Sequence, residues 1–92
     1  MYHTTLTAVV APSVATGLVL PGTRLRRISV HPRGNDGVFY SFSSGEVENG
    51  QGETAYKDSP GDTGPIELAS GTLYLAAVTQ AGTRVYVQVW YE

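Results

Sequence analysis

Few side chains in this sequence have the types and spacing that chemistry demands. The two histidines, His3 and His31, stand far apart, one near the start and one before Pro32. Each reads as a strand-end surface residue rather than a general base or a metal ligand. No His-x-x-x-His pair, Gly-x-Ser-x-Gly elbow, phosphate-cradling Gly-Lys-Ser/Thr loop or dinucleotide fingerprint occurs. A serine nucleophile needs a positioned base, and no feature of the sequence supplies one. The acids Glu46, Glu48, Glu53, Asp58 and Asp62 fit the spacing of no calcium loop, so they read as solvated loop residues. The chain has no cysteine, which removes disulfide and thiolate-metal chemistry. The expectation is a non-enzymatic protein with no catalytic residue, no cofactor and no metal.

What the sequence does offer is contact chemistry. Six tyrosines and one tryptophan are many for 92 residues, and Tyr and Trp are the types enriched where proteins bind one another. Charge is distributed unevenly. Arg24, Arg26, Arg27 and Arg33 fall in the first half, whereas Glu46, Glu48, Glu53, Asp58, Asp62 and Glu67 follow with only Lys57 among them. The residues expected to carry an interface are Tyr74, Arg84, Tyr86 and Trp90, together with the cluster Arg24, Arg26 and Arg27.

The element that must position the first four is the stretch Thr72 to Tyr91. Leu73, Leu75 and Ala77 alternate, then Val85, Val87 and Val89 alternate, with Gln80-Ala81-Gly82 between. A three-residue loop closing on Gly is a hairpin signal, because a type I turn with a bulge needs a left-handed residue there. The reading is a C-terminal β-hairpin pairing Ala77 with Val85, Leu75 with Val87 and Leu73 with Val89. One face is then aliphatic; the other presents Tyr74, Arg84, Tyr86 and Trp90 together.

The rest of the chain reads as strands and turns with no helix. Strands are expected over Tyr2–Val10, Thr16–Leu20, Leu25–Val30, Val38–Phe42 and Ile66–Leu68, separated by Gly- and Pro-bearing turns. Strict alternation in Arg24–Val30 would bury arginine without a partner, at a cost of several kcal/mol. A late strand start, or a bulge near Arg26 and Arg27 that lets Leu25 and Ile28 both face the core, avoids this. The segment 43–65 is dense in Gly and acids and reads as one long loop that projects and gains order by touching a neighbouring subunit. Short strands at about 8–12-residue spacing indicate a single small antiparallel β-sandwich or jelly roll spanning 1–92. A net charge of −2 argues against nucleic acid bound through its phosphates. No run is long and apolar enough for a membrane span. The opening Met1-Tyr2-His3-Thr4-Thr5 lacks a signal-peptide pattern, so the chain is expected to begin where the folded protein begins.

One resemblance covers much of the chain from Arg24 onward. The order of Arg26-Arg27-Ile28-Ser29-Val30, the aromatic strand Val38-Phe39-Tyr40, a polar Gly-rich segment, then Gly71 to Ala77 and Gly82 to Val87 resembles small β-sandwich structural proteins of tailed bacteriophages. The resemblance implies a virion protein assembled in the host cytoplasm, most simply a capsid decoration or cement subunit. Head-fibre bases, spike bases and tail components belong to the same group. It implies the major capsid protein or other virion subunits as partners, and a homo-oligomer, with a trimer preferred. A carbohydrate-binding adhesion module, using Trp90 and the tyrosines to stack on sugars, is the rival from another class.

Overall fold

Apolar alternation in Thr72–Tyr91 faces inward, but from two different sheets. The computed structural model describes residues 1–22, 24–67 and 71–92. In chain order its elements are β1 (Tyr2–Val10), β2 (Thr16–Val19), β3 (Arg24–Pro32), β4 (Val38–Ser41), α1 (Ser44–Glu48), β5 (Glu53–Ala55), β6 (Gly61–Thr63), β7 (Ile66–Glu67), β8 (Thr72–Ala77) and β9 (Thr83–Tyr91). The expected strand end at Leu68 and the turn residues Ala69 and Ser70 lie outside the described residues.

Sheet A runs β1-β9-β3-β6, with β7 added beside β3, and sheet B runs β2-β8-β4-β5. All pairings are antiparallel. Apart from β7, each connection along the chain crosses from one sheet to the other except the one between β4 and β5. This double Greek key is the jelly-roll order of a two-layer β-sandwich. The core lies between the layers. Leu25, Ile28, Val30, Val85, Val87 and Val89 point in from sheet A, and Val38, Tyr40, Leu73, Leu75 and Ala77 meet them from sheet B. Each large aliphatic side chain so buried contributes about 1.5–3 kcal/mol.

The C-terminal hairpin expected from the sequence is therefore not formed. β8 pairs with β2 and β4, while β9 pairs with β1 and β3. Period-two burial fixes which face a strand presents, not which strand lies beside it. The aliphatic residues of β8 and β9 oppose one another across the core instead of along one sheet. Gly82 does adopt the left-handed conformation (φ 79°) that its place in the loop suggested. Residues from distant segments satisfy the crossing. The Ala77 amide donates to Ala11 O at 3.1 Å, the Val78 amide to Gly37 O at 3.0 Å and the Gly82 amide to Val10 O at 3.1 Å. The Asp36 carboxylate accepts from the Thr79 hydroxyl at 2.7 Å, the Gln80 amide at 3.0 Å and the Thr83 hydroxyl at 3.0 Å. Burial pushes this carboxyl upward, and the Thr79, Gln80 and Thr83 donors outweigh it, so its pKa is lowered.

The segment 43–65 is not one projecting loop either. It folds into α1, β5 and β6, and Val47 and Ala55 are fully buried. Its glycines include a close-packing position: a Cβ at Gly61 would lie 2.5 Å from the Tyr40 hydroxyl. The bulge in β3 occurs between Leu25 and Arg27, and Leu25 and Ile28 both reach the core while the three arginines stay exposed.

Candidate functional site

Register alone builds the outer face of sheet A. Trp90 of β9 lies between His3 of β1 and Arg27 of β3; Gln88 lies between Thr5 and Ser29; Tyr86 lies between Thr7 and His31; Arg84 lies beside Val9. Opposed residues on antiparallel strands share a face, so these rows form one continuous surface about nine residues long.

Two aromatic groups organise it. The Trp90 ring has the His3 imidazole on one side, centroids 4.8 Å apart and tilted by 39°. The Arg27 guanidinium stands 4.9 Å from its centroid, a cation–π distance. Tyr86 stacks on His31 at 4.7 Å and 8° between planes, and Arg33 approaches the same ring at 5.5 Å. His31 Nε2 and Ser29 Oγ are 2.6 Å apart, which ties the imidazole to the strand below it. Each ring is thus flanked by a cation or an imidazole, and both tyrosine and tryptophan are half-buried. The surface is a low carpet of side chains. A shallow depression of about 460 Å³ lies beside Tyr86, His31, Arg33 and Lys57.

Charge on this face is mostly positive. Arg27 Nε donates to Asp62 at 2.9 Å. That hydrogen bond and the accompanying charge lower the Asp62 carboxyl and raise the Arg27 guanidinium. The described residues form two further ion pairs, Arg24–Glu67 at 3.5 Å and Arg26–Glu92 at 3.6 Å. Arg33, Arg84 and Lys57 are in none of the three. The carboxylates of Glu46 and Glu48 lie on α1, and Glu53 lies on the edge strand of sheet B.

The structure brings together four of the residues singled out by sequence: Arg27, Arg84, Tyr86 and Trp90. Tyr74 is separated from this set. It belongs to β8, where it lies on the outer side of sheet B beside Gly17 and Ser41. The hairpin reading places it on one face with Tyr86 and Trp90. Arg26 is the extra residue of the bulge and Arg24 lies just before it, and both pair with acids of this same chain. Asp62, in the segment expected to touch a neighbouring subunit, holds Arg27 of its own chain. Sequence reasoning passed over His3, His31, Lys57 and Asp36 as members of any site. Only the register of β1, β3 and β9 reveals the two histidines as ring partners, and that register depends on long-range pairing. Arg33 follows from the same register, since its amide donates to Arg84 O at 2.8 Å.

Among the described residues no group of three or more His, Cys, Asp or Glu side chains is placed to hold a metal ion, and no helix is long and apolar enough to cross a membrane. Comparison with protein-family models, with curated proteins and with solved structures gave no match in any of the three.

Proposed function

We propose that this chain is a non-enzymatic structural subunit of a tailed-bacteriophage virion, a capsid decoration or cement protein that docks on other protein subunits through the outer face of sheet A. The observation that carries this reading is the joined surface of Trp90, Tyr86, Arg27, Arg33 and Arg84. Half-buried aromatics rimmed by arginine are the composition of a protein-binding patch. The face is low rather than cleft-like, which suits a broad partner surface better than a small ligand. A sugar would need a free ring face for stacking. Here His3 and Arg27 flank Trp90, and His31 and Arg33 flank Tyr86, which weakens the adhesion reading. The jelly-roll order adds only analogy, since the same fold serves capsid proteins and lectins alike.

Purified particles of the phage that encodes the chain test the proposal. Quantitative mass spectrometry is expected to find the chain as a stoichiometric component alongside the major capsid protein. Particles lacking it would refute the virion role, whatever the surface binds.

A further inference from the structure

A second surface, which needs no virion role, lies along the side formed by β1 and β2 and adjoins the outer face of sheet A through β1. From Met1 to Gly22 there is no Asp, Glu, Lys or Arg. This uncharged stretch supplies one edge strand of each sheet, β1 in sheet A and β2 in sheet B. It also holds most of the exposed large apolar side chains: Met1, Tyr2 (65 % exposed), Val9 (62 %), Val14 and Val19 (78 %). Loss of charge together with exposed apolar residues marks the centre of an interface.

The β1 edge itself is unguarded. Natural edge strands avoid pairing with strangers by being short or by carrying lysine, proline or a bulge. β1 runs for nine residues, has no proline and no charged side chain, and pairs with β9 in unbroken register from Tyr2 to Val10. Among the described residues nothing pairs with its other edge. At about 3.4 Å per residue it extends about 30 Å, close to the 34 Å longest dimension of the molecule.

From these features we infer that β1 pairs antiparallel with β1 of a second copy of this chain, making a twofold dimer with one continuous sheet. The sequence of the strand selects this occupant. A twofold about Leu6 uses the whole strand and sets Thr5 against the partner's Thr7, Thr4 against the partner's Ala8 and His3 against the partner's Val9. Tyr2 then meets the partner's Val10. No charge faces a like charge, Thr opposes Thr on the outer face, and Leu6 meets its own copy on the core side; such cross-strand pairs are favourable. An uncharged strand has no lysine or glutamate to repel its copy at or beside the twofold, so β1 meets itself without opposed charge. The contact is isologous and closes at two copies, in place of the trimer that the phage resemblance implies.

The full chain tests this directly. Light scattering across a concentration series is expected to give twice the 9.8 kDa chain mass. The double variant Thr5→Lys, Thr7→Lys puts lysine against lysine and is expected to give one chain mass with an unchanged circular dichroism spectrum. Mixing it with Thr5→Glu, Thr7→Glu is expected to restore the two-chain mass, which a misfolded variant could not do. The absence of native cysteine permits a register test. Leu6→Cys should crosslink into dimers on oxidation, because directly opposed Cα atoms lie about 4.5–5.5 Å apart. Thr4→Cys should not, being roughly four residues from its own copy. A wild-type chain that stays monomeric, a mass other than two chains, a lysine variant that remains dimeric, or equal crosslinking of the two cysteine variants would each overturn the inference.

Discussion

The two outer faces of the sandwich are finished in different ways. Over sheet B the chain folds α1 back onto β4 and β8, so Val47 and Ala76 are fully buried and that part of the face is covered by the protein itself, while Val19 on β2 stays exposed. Over the outer face of sheet A none of the described elements folds back. Trp90, Tyr86, Gln88 and Ser29 are covered only by one another and by arginine and histidine neighbours. The domain spends five residues on covering part of one side and leaves an aromatic, basic carpet on the other, which the proposed function assigns to a docking partner. The contrast also sorts the aromatic residues. Tyr74 belongs with the closed side, Tyr86 and Trp90 with the open one.

Substituting one residue on each side gives the largest expected difference. Val47→Asp places an unpaired carboxylate under α1, and the loss of stability is expected to be about 3–5 kcal/mol. Arg84→Asp, exposed on the open face and away from the free edge of β1, is expected to change stability by about 0.5 kcal/mol or less. Urea denaturation of both variants measures the contrast; equal losses would mean that the two faces are packed alike.

The crossing between β8 and β9 joins the two layers, and Asp36 holds it. Asp36→Ala leaves the Thr79 and Gln80 amides without their acceptor, so a stability loss of about 1–3 kcal/mol is expected. The folded-state carboxyl is depressed. Its contribution is therefore complete above the unfolded carboxylate value of about 4 and fades as pH falls through the lower folded value. Asp62, held down by Arg27, shares that sign. Denaturation midpoints taken from pH 6 downward should fall less steeply in Asp36→Ala than in the wild type. Parallel slopes would show that the carboxylate does not titrate with unfolding.

The smallest effect belongs to the rim. Arg84 is exposed and lies outside the ion pairs of the described residues. Arg84→Ala is expected to weaken docking by less than about 1 kcal/mol, mainly by slowing association at low salt. A large, salt-independent loss would move Arg84 from the rim to the centre of the contact.

Much of this architecture was legible in the sequence. The strands β1, β3 and β4 and the inward sets Leu73, Leu75, Ala77 and Val85, Val87, Val89 follow from local pattern, and the β3 bulge is one of the two ways of sparing the arginines that the cost of buried charge leaves open. Partners across long distances did not follow. The alternation of β8 and β9 is the same whether they pair or face each other, and the deciding contact, Asp36 with Thr79, Gln80 and Thr83, joins residues far apart in sequence. α1 escaped because five residues with Val47 as their one buried side chain carry no readable helical period. Glycines that read as flexibility in 43–65 include Gly61, whose missing side chain makes room for Tyr40. The site was half visible for the same reason: residue types pointed to Trp90, Tyr86 and Arg84, while the pairings that add His3 and His31 and remove Tyr74 are tertiary.

Trp90→Ala on particles tests the docking face most directly. Phage carrying the substitution would be purified, and the copy number of the chain per particle compared with wild type by quantitative mass spectrometry, with the free protein's denaturation measured in parallel. Loss of a central interface aromatic costs about 2–4 kcal/mol of binding, so the variant is expected to be largely missing from particles while the free protein unfolds near the wild-type midpoint. Full occupancy of Trp90→Ala on particles, or a free variant that no longer folds, would contradict the assignment of the outer face of sheet A as the docking surface.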